Sequence, residues 1–309
     1  MRSFLLKSLL FFAVFFVLDK ALIFVRNTAP ERELDKRLER ILNGKINADV
    51  IVLGSSRGAR DIIASEIADS LHVTAYNLSY PGSNIEFHEY LLSKLFQFKN
   101  KVPKLVILAV DDATEFKIDP TINFRYERLY PLIKYEDVRN TLIEKGEKDK
   151  VLSSLFMVHQ LSISNFDFRK KHFDKLDTLY QDGSMPISSQ SDKFKNAKFT
   201  DHYNYYTGAN ENAGRIEQFR SLIALCKQHN TTLLFALAPN FGNPTVGFKE
   251  RITQFTQNNN PGIMMYDTSN AVYKNSSFYF DPGHLNRQGA TVFTSELIKH
   301  IRQKNLLNQ

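Results

Sequence analysis

An apolar run that ends in a glycine and two serines constrains the fold of this chain most strongly. Residues 49–53 read Asp-Val-Ile-Val-Leu, and Gly54-Ser55-Ser56-Arg57 follows directly. A short run rich in β-branched residues and stopped by glycine is typical of a buried parallel strand, and the apolar residues at 62–68 fit a following helix. The serines are therefore predicted at a strand-to-helix turn on the ligand-binding edge of a sheet. A serine there can also serve simply as a helix N-cap.

Four further strand-like runs alternate with helical stretches along the chain. The runs are 73–78, 105–110, 232–238 and 263–267, and helical spacing is found at 84–98, 135–145 and 288–305. Strands that alternate with helices predict a parallel sheet with right-handed crossovers. We therefore expect an α/β fold with a doubly wound, five-stranded parallel sheet in a flavodoxin-like, three-layer arrangement.

The N-terminus carries an apolar segment of membrane-spanning length. Residues 3–25 are mostly Phe, Leu, Val, Ile and Ala, and residues 9–18 carry no charge. Asp19 and Lys20 interrupt the segment; they could pair with each other, lie near the interface or face another membrane protein. No small-x-small cleavage site follows, so residues 1–25 are expected to be an uncleaved anchor rather than a signal peptide. We expect the globular part to be extracytoplasmic, in the periplasm or at the cell surface.

The rest of the chain divides into a connector and one large domain. Residues 26–47 are expected to form an amphipathic helical connector, because Leu34, Leu38, Ile41 and Leu42 form one stripe of a helix over 31–42. Residues 48–309 are expected to form the α/β domain. The strand-helix alternation stops over 113–212, which predicts a largely helical insertion that acts as a lid or binding element.

Composition excludes some functions. A net charge of +7 permits an acidic partner, but no nucleic-acid-binding motif accompanies it, and we expect no nucleic-acid partner. Cys226 is the single cysteine, and the eight histidines lack metal-ligand spacing, so no metal site or cofactor is predicted. The segment 54–58 also lacks the glycine spacing of a nucleotide-binding loop.

A second polar motif precedes the last predicted helix. Asp281 and His284 are three residues apart in a turn that contains Pro282 and Gly283. This spacing lets the carboxylate bond one imidazole nitrogen and leaves the other nitrogen free to act as a base. Ser56 and this pair would together form a Ser-His-Asp triad; in isolation, such an Asp-His contact is often structural.

Three blocks of the sequence resemble the SGNH (GDSL-type) hydrolase superfamily. They are residues 54–56, residues 77–82 (Asn-Leu-Ser-Tyr-Pro-Gly) and residues 281–284, in the order and at the strand ends that the family uses. The resemblance covers about residues 48–300 without the insertion. It implies that Ser56 is the nucleophile, that the amides of Ser56 and Gly82 form an oxyanion hole, and that Asp281 and His284 complete the triad.

The first block departs from the usual pattern, because Ser55 replaces the acidic residue before the nucleophile. This Gly-Ser-Ser variant resembles membrane-anchored proteins of cell-wall and exopolysaccharide O-acylation. The resemblance implies an acylated glycan or another acyl donor as substrate, the membrane as a site of action, and a membrane O-acyltransferase as a partner.

A further block of the family, Gly-x-Asn-Asp, departs more seriously in this chain. Residues 109–112 read Ala-Val-Asp-Asp, so Asp111 lies where the family has an asparagine that donates a hydrogen bond to the oxyanion. An ionised carboxylate cannot donate, and it repels the developing charge. Asp111 is therefore turned away, for example toward Arg57, or is protonated, or the site has lost part of its activity. Asn84 is a candidate replacement donor.

The sequence thus favours a membrane-anchored serine esterase or O-acyltransferase that acts on a cell-envelope or exopolysaccharide glycan. The alternative is a catalytically weak scaffold of the same fold that binds glycan or a membrane partner through the 113–212 insertion. Asp111 is the feature that favours this alternative.

Overall fold

The computed structural model describes residues 1–111, 114–169, 171–174, 176, 178–256 and 262–307. The helices in chain order are α1 Arg2–Ala21, α2 Ile23–Thr28, α3 Arg37–Leu42, α4 Ser56–Asp61, α5 Ala64–Leu71, α6 Ile85–Phe98, α7 Tyr126–Leu129, α8 Glu136–Glu144, α9 Lys150–Leu155, α10 Met157–Gln160, α11 Ala213–Gln228, α12 Phe248–Thr256 and α13 Arg287–Gln303. Short 3₁₀ turns occur at Ala29–Arg32, Tyr130–Leu132, Ile163–Phe166, Gly208–Asn210, Ala271–Lys274 and Ser276–Phe278.

Five strands form one parallel sheet. They are β1 Val50–Gly54, β2 Ala75–Asn77, β3 Leu105–Ala109, β4 Thr232–Leu237 and β5 Gly262–Met265. Their order is β2-β1-β3-β4-β5, and every neighbouring pair is parallel. The predicted doubly wound, five-stranded α/β fold is thereby confirmed.

Apolar side chains cover both faces of the sheet, as an all-parallel sheet requires. On one face, alternate residues such as Val52 and Ile107 pack in one core with Phe293 and Leu297 of α13. On the other face, the ring of Phe235 stacks on Phe219 of α11 at a centroid distance of 5.0 Å. Helix α11 in turn packs against α6. The result is a three-layer arrangement of helices, sheet and helices.

A small antiparallel hairpin precedes α13. It consists of β6 Tyr279–Asp281 and β7 His284–Leu285, with Asp281 paired to His284. Asn286 then caps α13 by accepting a hydrogen bond from the Gly289 amide at 3.1 Å. The hairpin therefore fixes the two residues of the second polar motif opposite each other.

Contacts divide the chain into two compact units. The N-terminal unit contains residues 1–39 and 125–172, and the sheet unit contains residues 40–124 and 173–309. Residues 125–172 of the predicted 113–212 insertion thus join the N-terminal helices, whereas 114–124 and 173–212 belong to the sheet unit. The boundaries of the anchor and connector at residues 25 and 47 stay predictions.

The single helix predicted over 31–42 is wrong. A 3₁₀ turn at Ala29–Arg32 is separated from α3, which begins only at Arg37. The interruption lies at Asp35, whose carboxylate accepts hydrogen bonds from the Arg37 amide at 3.1 Å and from its guanidinium at 2.6 Å. This local side-chain bonding competes with helix continuation. The stripe residues Leu38, Ile41 and Leu42 are nevertheless buried.

The N-terminal helix is as long and as apolar as the sequence indicated. Among the described residues, one helical stretch, starting at Arg2, is long and apolar enough by length and composition to span a membrane. Its apolar side chains, including Leu9, Phe12 and Phe16, are exposed.

Gly54 allows β1 to end close to β3. A Cβ atom at this position would lie 2.8 Å from the Ala109 carbonyl oxygen, and the Gly54 φ angle is +152°. We expect Gly54→Ala to lower the free energy of unfolding by about 2 kcal/mol, because backbone clashes of this kind force a shift of the sheet. Urea unfolding of the full chain in detergent measures this change.

Gly242→Ala is the matched control, because a Cβ atom there meets no atom within 4 Å. It should change stability by less than about 0.5 kcal/mol. Equal unfolding midpoints for the two variants would contradict the close approach at Gly54.

Candidate active site

The two serines after β1 have different environments. Ser55 is the N-cap of α4, and its hydroxyl oxygen accepts a hydrogen bond from the Arg57 amide at 3.4 Å. Ser56 is the first residue of α4 and lines a cavity of about 370 Å³. The N-cap interpretation therefore holds for Ser55, while the hydroxyl of Ser56 points to a different partner.

That partner is His284. The Ser56 Oγ lies 2.8 Å from His284 Nε2, although the two residues are 228 positions apart. The other ring nitrogen, Nδ1, lies 2.9 Å and 3.0 Å from the two carboxylate oxygens of Asp281. With Nδ1 donating to Asp281, Nε2 is free to accept the Ser56 proton.

Asp281 stays ionised in this arrangement. Burial opposes its ionisation, but the hydrogen bond and charge of His284 and the Gly283 amide, at 2.8 Å, outweigh burial. The pKa of Asp281 is therefore below its ordinary value. An ionised Asp281 both fixes the tautomer of His284 and stabilises the imidazolium that proton transfer creates.

The predicted oxyanion-hole residues have different positions. Gly82 lines the same cavity as Ser56 and His284, with a φ angle of +71°. Asn84 is buried and does not line this cavity; its amide oxygen caps α6 by accepting from the Phe87 amide at 3.0 Å. The roles of both residues as oxyanion donors stay predictions.

Asp111 lines the cavity and is held by two neighbours. Its Oδ2 accepts a hydrogen bond from the Ser55 hydroxyl at 2.5 Å, and its Oδ1 lies 3.7 Å from Arg57 Nε. The buried guanidinium of Arg57 also donates to the Asn240 side chain and to the Ala238 carbonyl. The carboxylate therefore faces Arg57, one of the alternatives that the sequence left open. Asp112, the last residue of that block, lies outside the described residues.

Asp61 is a residue of this region that the sequence analysis missed. It is fully buried at the end of α4, and its Oδ1 accepts a hydrogen bond from the Leu285 amide at 3.0 Å. Burial raises the pKa of Asp61 to about 7, although Arg57 and His284 oppose the rise. Asp61 thus ties α4, which carries Ser56, to the strand that carries His284. No pattern in the sequence distinguishes it from a surface carboxylate.

Asn240 and Glu115 were also missed. Asn240 lines the cavity just after β4 and accepts from Arg57; its position at a strand's carboxyl end was a usable signal. Glu115 is buried, and its Oε2 accepts from the Asp111 amide at 2.8 Å. Burial and the Asp111 charge raise the pKa of Glu115 to about 8.

No metal-binding cluster is found in the part of the chain that the structure describes, where no three His, Cys, Asp or Glu side chains are grouped to hold an ion.

Comparisons with known proteins give limited information. No protein-family model matches the chain, and no curated protein matches it. One similar solved structure is a crystal structure of the psychrotrophic esterase EstA from Pseudoalteromonas sp., inhibited by monoethylphosphonate. It is 11% identical, with a TM-score of 0.40 over 83% of this chain and 98% of that chain. At this identity and TM-score, the likeness supports no conclusion about activity.

The raised pKa of Asp61 predicts a pH-dependent stability. The unfolded carboxyl releases its proton near pH 4 and the folded one near pH 7, so the folded state binds more protons between these values. Stability is therefore lost as the pH rises from 4 to 7, by at most about 4 kcal/mol from this group. We expect Asp61→Asn, which keeps the acceptor for Leu285, to unfold at higher urea concentration than the wild type at pH 8 and to differ little at pH 4.

Asp69→Asn is the control, since Asp69 is an exposed carboxylate on the next helix. It should leave the pH profile of the urea midpoint unchanged. A wild-type-like profile for Asp61→Asn as well would contradict a buried, protonated Asp61.

Proposed function

We propose that this protein is a serine esterase or acyltransferase in which Ser56 is the nucleophile, His284 the general base and Asp281 the residue that orients His284. The proposal rests on one observation. The Ser56 hydroxyl lies 2.8 Å from His284 Nε2 while Asp281 occupies Nδ1 of the same ring, at the surface of one cavity. A serine, a base and an orienting carboxylate in this order are the components of nucleophilic acyl transfer.

The chemistry follows from these contacts. Ser56 attacks the carbonyl carbon of an ester while its proton passes to His284 Nε2, and Asp281 stabilises the resulting imidazolium. His284 then returns the proton to the leaving alcohol, which leaves an acyl group on Ser56. Water or a sugar hydroxyl attacks the acyl-enzyme, with His284 again as the base, and regenerates Ser56.

Oxyanion stabilisation is assigned to the backbone amides of Ser56 and Gly82. Ser56 is at the start of α4, where the first amides have no partner within the helix, and Gly82 lines the same cavity. Asp111 is not a donor in this proposal. Its contacts with Ser55 and Arg57 reduce its repulsion of the oxyanion, because the adjacent guanidinium compensates its charge.

The natural substrate and location are proposed from the sequence resemblance. An acylated glycan of the cell envelope supplies or receives the acyl group, a membrane O-acyltransferase is the partner, and the N-terminal helix anchors the chain with its globular part outside the cytoplasm. Release of acetate from acetylated polysaccharides, compared with hydrolysis of p-nitrophenyl acetate, tests the substrate class.

Loss of the nucleophile should abolish covalent chemistry. We expect wild-type protein to be labelled by a fluorophosphonate and to hydrolyse p-nitrophenyl acetate, and Ser56→Ala to do neither, because no other hydroxyl contacts His284 Nε2 among the described residues. Ser295→Ala, which removes an exposed hydroxyl from α13, should retain full labelling.

The scaffold alternative makes the opposite prediction. It is favoured by Asp111, a carboxylate at a cavity where catalysis needs a donor. Equal labelling of wild type and Ser56→Ala, together with retained cellular function of a Ser56→Ala/His284→Ala double variant, would support the scaffold and contradict the enzyme.

Removing the charge of Asp281 should slow the reaction without impairing binding. Asp281→Asn places an amide opposite His284 Nδ1 and favours the tautomer that cannot accept the Ser56 proton. We expect kcat to fall by about 10³- to 10⁴-fold with KM nearly unchanged, as for other triads of this type. Steady-state hydrolysis of p-nitrophenyl acetate measures both parameters, and an unchanged kcat would exclude Asp281 from the mechanism.

A further inference from the structure

A carboxylate in the apolar N-terminal helix is bonded to a distant part of the chain. Asp19 of α1 is only 4% exposed, and its oxygens accept hydrogen bonds from the amides of Met157 at 2.8 Å and Val158 at 2.9 Å. These amides begin α10, where helix donors have no intrahelical partner. Asp19 therefore acts as a cap for a helix that lies 138 residues further along the chain.

Two neighbouring contacts strengthen this attachment. Lys20 lies 3.3 Å from the Asp19 carboxylate and donates to the Leu155 carbonyl at 2.7 Å. One turn earlier, the rings of Phe15 and Phe156 meet edge to face at a centroid distance of 6.1 Å. All of these residues belong to the N-terminal unit, so the end of α1 and residues 155–158 form one local structure.

The chain around this attachment exposes an unusual amount of apolar surface. We name residues 150–168 the apolar segment. Its exposed apolar side chains are Val151, Leu152, Leu155, Val158, Ile163, Phe166 and Phe168, and Ile163 is 93% exposed. Extensive exposed apolar surface on a protein often marks a site of contact with another protein or with a membrane. The exposed apolar side chains of α1 continue this surface through the Phe15–Phe156 contact.

We propose that the apolar segment is a second membrane-contacting element, which inserts into the lipid headgroup and acyl boundary beside α1. The inference rests on the proposed insertion of α1 in a bilayer. Asp19 is 17 residues from Arg2, about 26 Å at the rise of a helix, so it lies close to the far boundary of a hydrocarbon core about 30 Å thick. Residues bonded to Asp19 lie at the same depth.

Charged residues of both signs lie at the ends of the segment. Glu147, Lys148 and Asp149 precede it, and Lys150 is its first residue. Arg169 follows it and pairs with Asp167 at 2.8 Å, while Lys148 donates to the Leu161 carbonyl at 2.6 Å. The Arg32 guanidinium lies over the Phe168 ring, 4.5 Å from its centroid. Charged residues at the ends of a segment with exposed Leu, Ile and Phe can lie at the headgroup level while the apolar side chains contact the acyl boundary.

The absence of tryptophan from the sequence gives a direct test. Single-tryptophan variants of the full chain report on one position each: Leu155→Trp and Ile163→Trp in the apolar segment, Phe12→Trp in α1, and Tyr205→Trp as an exposed aromatic control in the sheet unit. Each variant is reconstituted in phosphatidylcholine–phosphatidylglycerol vesicles with and without bromine on the acyl chains. Far-UV circular dichroism checks the fold, and the high exposure of Ile163 makes its replacement the safest.

We expect brominated lipid to remove about half of the tryptophan fluorescence of the Leu155→Trp, Ile163→Trp and Phe12→Trp variants, because side chains at the acyl boundary contact the quencher. The Tyr205→Trp variant should be unaffected. Quenching of Phe12→Trp alone would overturn the proposed role of the apolar segment while leaving the anchor intact. No quenching of Phe12→Trp would contradict the anchor and the segment together, and quenching of all four variants would show nonspecific adsorption and overturn the proposal.

The attachment itself is tested by Asp19→Leu, which removes both acceptors. In the Ile163→Trp background it should reduce quenching to less than about half of the parent value, since the segment is no longer held at the level of residue 19. In the Phe12→Trp background it should change nothing. Asp19→Asn, which keeps one acceptor oxygen, should give an intermediate result; unchanged quenching in Asp19→Leu would overturn the positioning role of Asp19.

Discussion

Hydrogen bonding between parallel strands brings every strand's carboxyl end to the same edge of the sheet, and the candidate site depends on this constraint. Gly54 pairs in register with Ala109, so the residues that follow β1 and β3 are neighbours. Ser55 can therefore donate to Asp111, although the two residues are 56 positions apart. The hairpin before α13 then adds His284 and Asp281 to the same edge.

Charged groups are concentrated beneath this edge. The buried Arg57 guanidinium lies beside Asp111, which lines the cavity. Its positive charge also favours ionisation of the fully buried Asp61, although burial outweighs this effect. A buried charge is costly unless neighbours compensate it, so the Arg57 cation lies beside the Asp111 carboxyl group, while burial raises the pKa of Asp61 to about 7. Asp61 also bonds the Leu285 amide, and this contact couples the position of His284 to the helix that carries Ser56.

The N-terminal unit contains a buried carboxylate, Asp19, that is stabilised by other contacts. Asp19 is a buried charge on an apolar helix, and Lys20 together with two hydrogen bonds from backbone amides compensates that charge. The same contacts hold a segment with exposed apolar side chains against the helix. Asp19 interrupts the apolar sequence of α1, and its hydrogen bonds connect this exposed apolar helix to the exposed apolar segment at 150–168.

Local patterns were sufficient for the five strands and the class of the sheet. Runs such as 105–110 are short, apolar and rich in β-branched residues, which favours a buried strand, and their alternation with helices leaves few topologies open. One exception was 31–42, where the hydrophobic stripe was correct but the side chain of Asp35 interrupted the helix. Another was the helix predicted over 62–68, because Ile62 and Ile63 are extended between α4 and α5. Periodicity reports which face is buried; it does not report a local hydrogen bond that competes with the backbone.

For the site, the sequence by itself determined the residue types and their order: a serine after the first strand, a glycine after the second, and an Asp-x-x-His turn before the last helix. Only the tertiary structure decided that Ser56 rather than Ser55 contacts His284 and that Asp111 faces Arg57. It also decided that Asp61 is buried. The physical reason is that residue identity limits which bonds a side chain can make, whereas its partners, burial and pKa depend on distances that arise only when remote parts of the chain pack together.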